Sequence, residues 1–126
     1  MKAVFDSSAV LALIWQEPGH DVVASHLEDA AISAVNIAEV YAKCADRGLD
    51  IDEVRALIAE MKLVVVPFDE GQAFRSGGLR SPTRQKGLSL GDRACLALAG
   101  SLDAKVVTSD RIWQSLGLDV DIISIR

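Results

Sequence analysis

Five short apolar runs, each too brief for a helix, recur along the 126 residues with helical periodicity between them. Lys2–Phe5, Ala30–Ser33, Leu63–Pro67, Lys105–Thr108 and Asp121–Ile125 read as strands. Between them, Ser8–Trp15 ends before Pro18-Gly19, Asp21–Leu27 forms a second helix, and Asn36–Arg47 puts Ile37, Val40, Tyr41 and Cys44 on one face before Gly48 stops it. Asp52–Met61, Ser89–Leu102 and Asp110–Leu116, closed by Gly117, complete the helices. Strands that alternate with helices throughout predict an α/β fold: a three-layer sandwich around a central parallel five-stranded sheet with right-handed crossovers. Leu63–Pro67, rich in valine, is expected to be a strand buried on both faces, and the mostly apolar Ser89–Leu102 a buried helix. No repeat or linker interrupts the chain, so residues 1–126 are read as a single domain.

Half the residues are apolar and a quarter charged, as in a globular protein able to fold alone. The apolar run Ala9–Trp15 is bounded by Asp6 and Glu17, too short to cross a bilayer, and the start, with Lys2 alone, lacks the basic run of a signal peptide. A cytoplasmic protein with no membrane partner is expected. Cys44 and Cys95 stand alone in apolar stretches, without the spacing of a zinc or redox motif, and read as reduced core thiols. His20 and His26 are six apart, on different faces of any helix, and read as surface residues.

The net charge is −5, from 13 basic and 18 acidic side chains, which argues against an anionic partner. The distribution is uneven, however. Between Gly71 and Gly91 there is no carboxylate, while Arg75, Arg80, Arg84 and Lys86 all fall there. Nine bases then face eighteen acids over the remainder, a charge of about −9. A helix beginning at Glu70–Phe74 and interrupted by Gly77-Gly78 and Pro82 is expected to give this basic arm a partly irregular, mobile character; a merely solvated loop is the alternative.

Four acids stand where a parallel sheet builds its active site, beyond the carboxyl ends of the strands. Asp6 follows the first strand and Asp110 the fourth; their carboxylates converge if those strands are neighbours at the switch point. Glu39 and Asp92 lie one turn into helices that start at the same end. Each acid could instead be a cap. Asp is a favoured N-cap, and both Asn36-Ile37-Ala38-Glu39 and Ser89-Leu90-Gly91-Asp92 resemble capping boxes. Capping does not explain why all four lie at one edge among apolar neighbours. Two carboxylates about 5 Å apart repel by roughly 3 kcal/mol at an effective dielectric near 20, so a cluster calls for a cation. Oxygen-only ligands suit Mg²⁺ or Mn²⁺ rather than zinc. Such ions are suited to hydrolysing a phosphodiester without a protein nucleophile, and the arm from Arg75 to Lys86 could hold the strand.

These residues carry a resemblance. Val4-Phe5-Asp6-Ser7-Ser8, Asn36-Ile37-Ala38-Glu39-Val40, Leu90-Gly91-Asp92 and Thr108-Ser109-Asp110-Arg111-Ile112-Trp113 are similar in order and spacing to the four motifs of the PIN-domain family, and within it of the VapC-type toxins. The resemblance runs from Met1 to Arg126 and implies that Asp6, Glu39, Asp92 and Asp110 are catalytic metal-binding acids supported by Ser7, Asn36, Thr108 and Ser109. It further implies an Mg²⁺- or Mn²⁺-dependent endoribonuclease that leaves 5′-phosphate and 3′-hydroxyl ends, acts as the toxin of a toxin–antitoxin pair, forms a homodimer and is blocked by the tail of a cognate antitoxin. Apolar helices near the amino terminus and around Val54–Ile58 could meet another chain, although core packing explains them better.

Other readings stay open: a housekeeping RNA-processing nuclease of the same family, or a non-catalytic module that binds RNA or a partner. A phosphatase with Asp6 as nucleophile would want a second Asp two residues on, where Ser8 stands.

Overall fold

The short apolar runs pair into one sheet. In a computed structural model, which describes residues 1–126, the strands are β1 (Ala3–Phe5), β2 (Ala30–Ser33), β3 (Val64–Val66), β4 (Lys105–Thr108) and β5 (Ile122–Ser124). The helices are α1 (Ser7–Trp15), α2 (His20–Ser25), α3 (Ala34–Asp46), α4 (Ile51–Met61), α5 (Glu70–Gly78), α6 (Arg80–Thr83) and α7 (Leu90–Leu102). Arg84–Lys86 and Arg111–Ser115 are 3₁₀ turns, the latter where a short helix is expected. The sheet is wholly parallel in the order β3-β2-β1-β4-β5. Strand order therefore reverses between β1 and β4, and that is the pair Asp6 and Asp110 follow.

Alternation along the strands makes the sandwich. Ala3 and Phe5 point into one apolar cluster with Ile32, Val107 and residues of α1 to α4; Val4 and Val106 point the other way, onto α7 and Trp113. Val54 and Ile58 are buried in the first cluster, so the apolar face of α4 belongs to the core. Both cysteines are buried and free. His20 is exposed and His26 half-buried. No helix is long and apolar enough to cross a membrane.

One expectation is corrected. The valines of β3 are not buried on both faces: β3 is an edge strand, paired only with β2, and Val64 and Val65 are 44% and 45% exposed. A run of valines suits an edge as well as a centre, and only the pairing order decides. The basic stretch is interrupted at Gly77-Gly78 as expected: α5 ends at Gly78, Leu79 is a turn, and α6 and a 3₁₀ turn follow. Packing on α7 anchors the stretch: Gln72 Nε2 donates to Ser101 Oγ (3.1 Å) and Arg93 Nη1 to the Ser76 carbonyl (3.3 Å). Pro82 sits third in α6, where a backbone N–H would have no partner inside the helix.

Candidate functional site

Asp6 directly follows β1 and caps α1, with its Oδ1 accepting from the Ala9 N–H at 3.0 Å. Its carboxylate is 5% exposed, yet it is ringed by donors. The Ser8 hydroxyl donates to Oδ1 and the Thr108 hydroxyl to Oδ2, both at 2.6 Å. The direction of those protons is fixed from behind. The N–H groups of Ser109 and Asp110 donate to the Ser8 and Thr108 oxygens, each at 3.0 Å, so the hydroxyl hydrogens are free to face Asp6. Pairing of β1 with β4 creates this network, because Thr108 is the last residue of β4.

Glu39 projects from α3 toward the start of α7. Asn36, 1% exposed, donates from Nδ2 to Glu39 Oε1 (3.0 Å) and to the Gly91 carbonyl (2.9 Å), tying the two helices together. Its Oδ1 is buried without a partner. Gly91 is a matter of space: a Cβ there would stand 2.5 Å from both Glu39 carboxylate oxygens. The helix begins earlier than Asn36, with Ser33 as its cap, so the capping-box explanation of Glu39 fails. For Asp92 it holds: Ser89 and Asp92 form a reciprocal capping box, with Asp92 Oδ2 accepting from the Ser89 N–H at 2.9 Å. Asp110 likewise caps its 3₁₀ turn through Oδ1 and the Ile112 N–H (3.0 Å).

The charges of three of the acids reach one buried thiol, that of Cys95. Burial pushes Asp6 up to about 6 against the opposing hydrogen bonds from Ser8, Thr108 and Ala9, and the charge of Asp92 adds to the rise. Burial also pushes the Cys95 thiol well up, and Asp6, Asp92 and Glu39 all push it the same way. Neither salt bridge in the protein involves these acids, so no cation of its own offsets them. Asp110 joins through its backbone N–H on Thr108.

No group of three or more His, Cys, Asp or Glu is placed to hold an ion as the side chains stand. Asp6 has both oxygens engaged, and Glu39, Asp92 and Asp110 each have one turned to the protein. One oxygen on each of the last three accepts no hydrogen bond. An all-carboxylate set of hard oxygen donors, a cradle kept open by Gly91 and uncompensated charge fit a small divalent cation.

The supporting residues sort by contact. Thr108 and Asn36 touch the acids, and Ser109 acts through its backbone. Ser8 reaches Asp6, a contact unremarked in the sequence, while Ser7 is buried in the first turn of α1 without a hydrogen bond to the acids. Arg75, Arg80, Arg84 and Lys86 are exposed and outside either salt bridge. The Arg93–Ser76 contact brings the end of α5 beside the start of α7.

The PIN-domain family profile matches residues 3–117. The chain belongs to the PIN-domain family. The sequence matches no curated protein. This PIN domain is similar in fold to a chain of a DNA-bound VapBC structure from Salmonella typhimurium, with TM-score 0.78 and 21% identity over 100% of this chain and 99% of that one. It is also similar to a chain of a toxin–antitoxin complex from Klebsiella pneumoniae (TM-score 0.73, 21% identity, 99% and 98% covered) and of FitAcB from Neisseria gonorrhoeae (0.71, 23%, 98% and 97%).

Proposed function

We propose that this PIN domain, spanning the whole of residues 1–126, is a divalent-metal-dependent endoribonuclease and the toxin of a toxin–antitoxin pair acting in the cytoplasm. The observation that carries the reading is the buried Asp6 carboxylate, held at the switch point by Ser8 and Thr108 beside Asp92 and Glu39, with no protein cation to offset it. Asp6, Glu39, Asp92 and Asp110 would hold Mg²⁺ or Mn²⁺. When bound, such an ion supplies an activated water and offsets charge on the phosphodiester. The protein's own part is positioning. Ser8 and Thr108 hold Asp6 in its charged, oriented form, Asn36 aims Glu39, and Asp92 and Asp110 are fixed by the helix ends they cap. The arm from Arg75 to Lys86 would contact RNA outside the acidic site.

The partner is drawn from the structural relatives, which include toxin–antitoxin complexes. Ile51, Leu57, Val64 and Val65 are each about half exposed around α4 and the β3 edge, a surface that would suit a protein partner or a second copy.

Cleavage of total RNA by the purified protein, with and without Mg²⁺ or Mn²⁺ and alongside Asp6→Asn and Asp92→Asn, tests the site. Metal-dependent cutting lost in both variants is expected. Binding without cutting in either metal would replace the enzyme with a binding module. Growth arrest on expression, relieved by the cognate antitoxin, is the expected mark of a toxin and would be missing from a housekeeping nuclease.

A further inference from the structure

Below the acids, a groove of about 410 Å³ runs between α1 and α3, lined by Ser8, Leu11 and Trp15 on one side and Lys43, Asp46 and Arg47 on the other. It opens onto the site, because Ser8 lines it while donating to Asp6. Its direction follows from helix geometry. Ser8, Leu11 and Trp15 lie on one face of α1 over about 10 Å, and Lys43 lies one turn, about 6 Å, beyond Glu39 on α3. Arg47 follows one turn later, with its guanidinium carbon 3.5 Å from the centroid of the Trp15 ring.

The charges here are unspent. Lys43 and Arg47 are in neither salt bridge. The other carboxylate at the groove, Glu17, is paired with Arg126 at 3.3 Å, which leaves Asp46 as the single acid against two free cations. An arginine stacked on an aromatic face has its fork pre-oriented, and its donors suit phosphate oxygens. We infer that this groove carries the single-stranded RNA flanking the scissile phosphate, with Lys43 and Arg47 on successive backbone phosphates. The inference rests on the ribonuclease reading of the acidic site. Lys43 and Arg47 bind substrate rather than react, and Trp15 positions Arg47.

The test follows binding separately from cutting. A labelled short single-stranded RNA is titrated by anisotropy over a KCl series with Asp92→Asn protein in Mg²⁺, and with the same protein also carrying Lys43→Ala and Arg47→Gln. Each phosphate contact on a single strand contributes about 0.7 to the log–log salt slope, so the slope should fall by about 1.4. Lys105→Ala, at the opposite end of the sheet, should leave it unchanged. In otherwise wild-type protein the pair Lys43→Ala/Arg47→Gln should raise KM with kcat held, as for lost uniform binding. Should Arg47→Gln disturb folding, Lys43→Ala alone, at an exposed position, should lower the slope by about 0.7. An unchanged slope and KM overturn the inference while leaving the nuclease intact, and so does weakened antitoxin binding with RNA binding unaltered. A protein that never cuts yet shows the predicted slope change keeps the groove and loses the nuclease.

Discussion

Replacing Asp6 with Asn should make the metal-free protein more stable at pH 8. Asp6 sits at about 6 in the folded protein against an ordinary 3.8, chiefly because burial penalises its charge. The folded state therefore binds the Asp6 proton more tightly than the unfolded chain does. Stability from this group is fully present below 3.8, falls as the pH rises, and is lost above 6. At about 1.36 kcal/mol per pH unit, the gap amounts to about 3 kcal/mol. Asn carries no charge and serves equally well as an N-cap to the Ala9 N–H. Its amide would face the Thr108 oxygen, so one hydroxyl must turn; reversing that bond costs about 1 kcal/mol. A net gain of about 2 kcal/mol remains.

Thermal unfolding in EDTA reads this directly. An unfolding entropy near 2.1 cal/mol/K per residue over 126 residues converts 2 kcal/mol into a Tm rise of roughly 8 °C at pH 8. At pH 4 the gain should vanish, since Asp6 is then protonated in the folded protein. Destabilisation at pH 8, or a Tm difference independent of pH, would refute the reasoning that burial holds this carboxylate in an unfavourable state.

Three further expectations come from the same contacts. Gly91→Ala should fold, gaining up to about 1 kcal/mol of helix propensity in urea unfolding, while its Cβ displaces the Glu39 carboxylate and abolishes metal-dependent cleavage. Asn36→Ala leaves Glu39 and the Gly91 carbonyl without their shared donor and should cost about 1 to 3 kcal/mol in the same assay, with reduced cleavage. Removing Arg75, Arg80 and Arg84 together should shift stability by under about 0.5 kcal/mol each, since all are exposed and unpaired, while weakening RNA retention in a filter assay as salt rises.

The sheet was readable because it depends on periodicity. Five short apolar runs alternating with helices require parallel pairing, and the two strands that Asp6 and Asp110 follow flank the reversal of strand order. Pairing order itself is a tertiary property, which is why the valines of β3 looked central and proved to lie at the edge. The end of α5 at Gly78 follows from local propensity, whereas the contacts that dock the helix, Gln72 with Ser101 and Arg93 with Ser76, cross between helices and leave no local signal.

The site shows the same division at finer scale. That Asp6 needs a hydroxyl partner could be anticipated, but whether Ser7 or Ser8 supplies it depends on the turn α1 makes as it leaves β1. The capping boxes at Asn36–Glu39 and Ser89–Asp92 look alike as strings, and only one forms. Ser33, ending β2, already caps α3, so Asn36 falls inside the helix and its amide is released to grip Glu39 and Gly91. The cap at Asp92 does form, and it leaves Oδ1 without a hydrogen bond. The helix end fixes one oxygen of this carboxylate, and the fixed orientation is what leaves the other available.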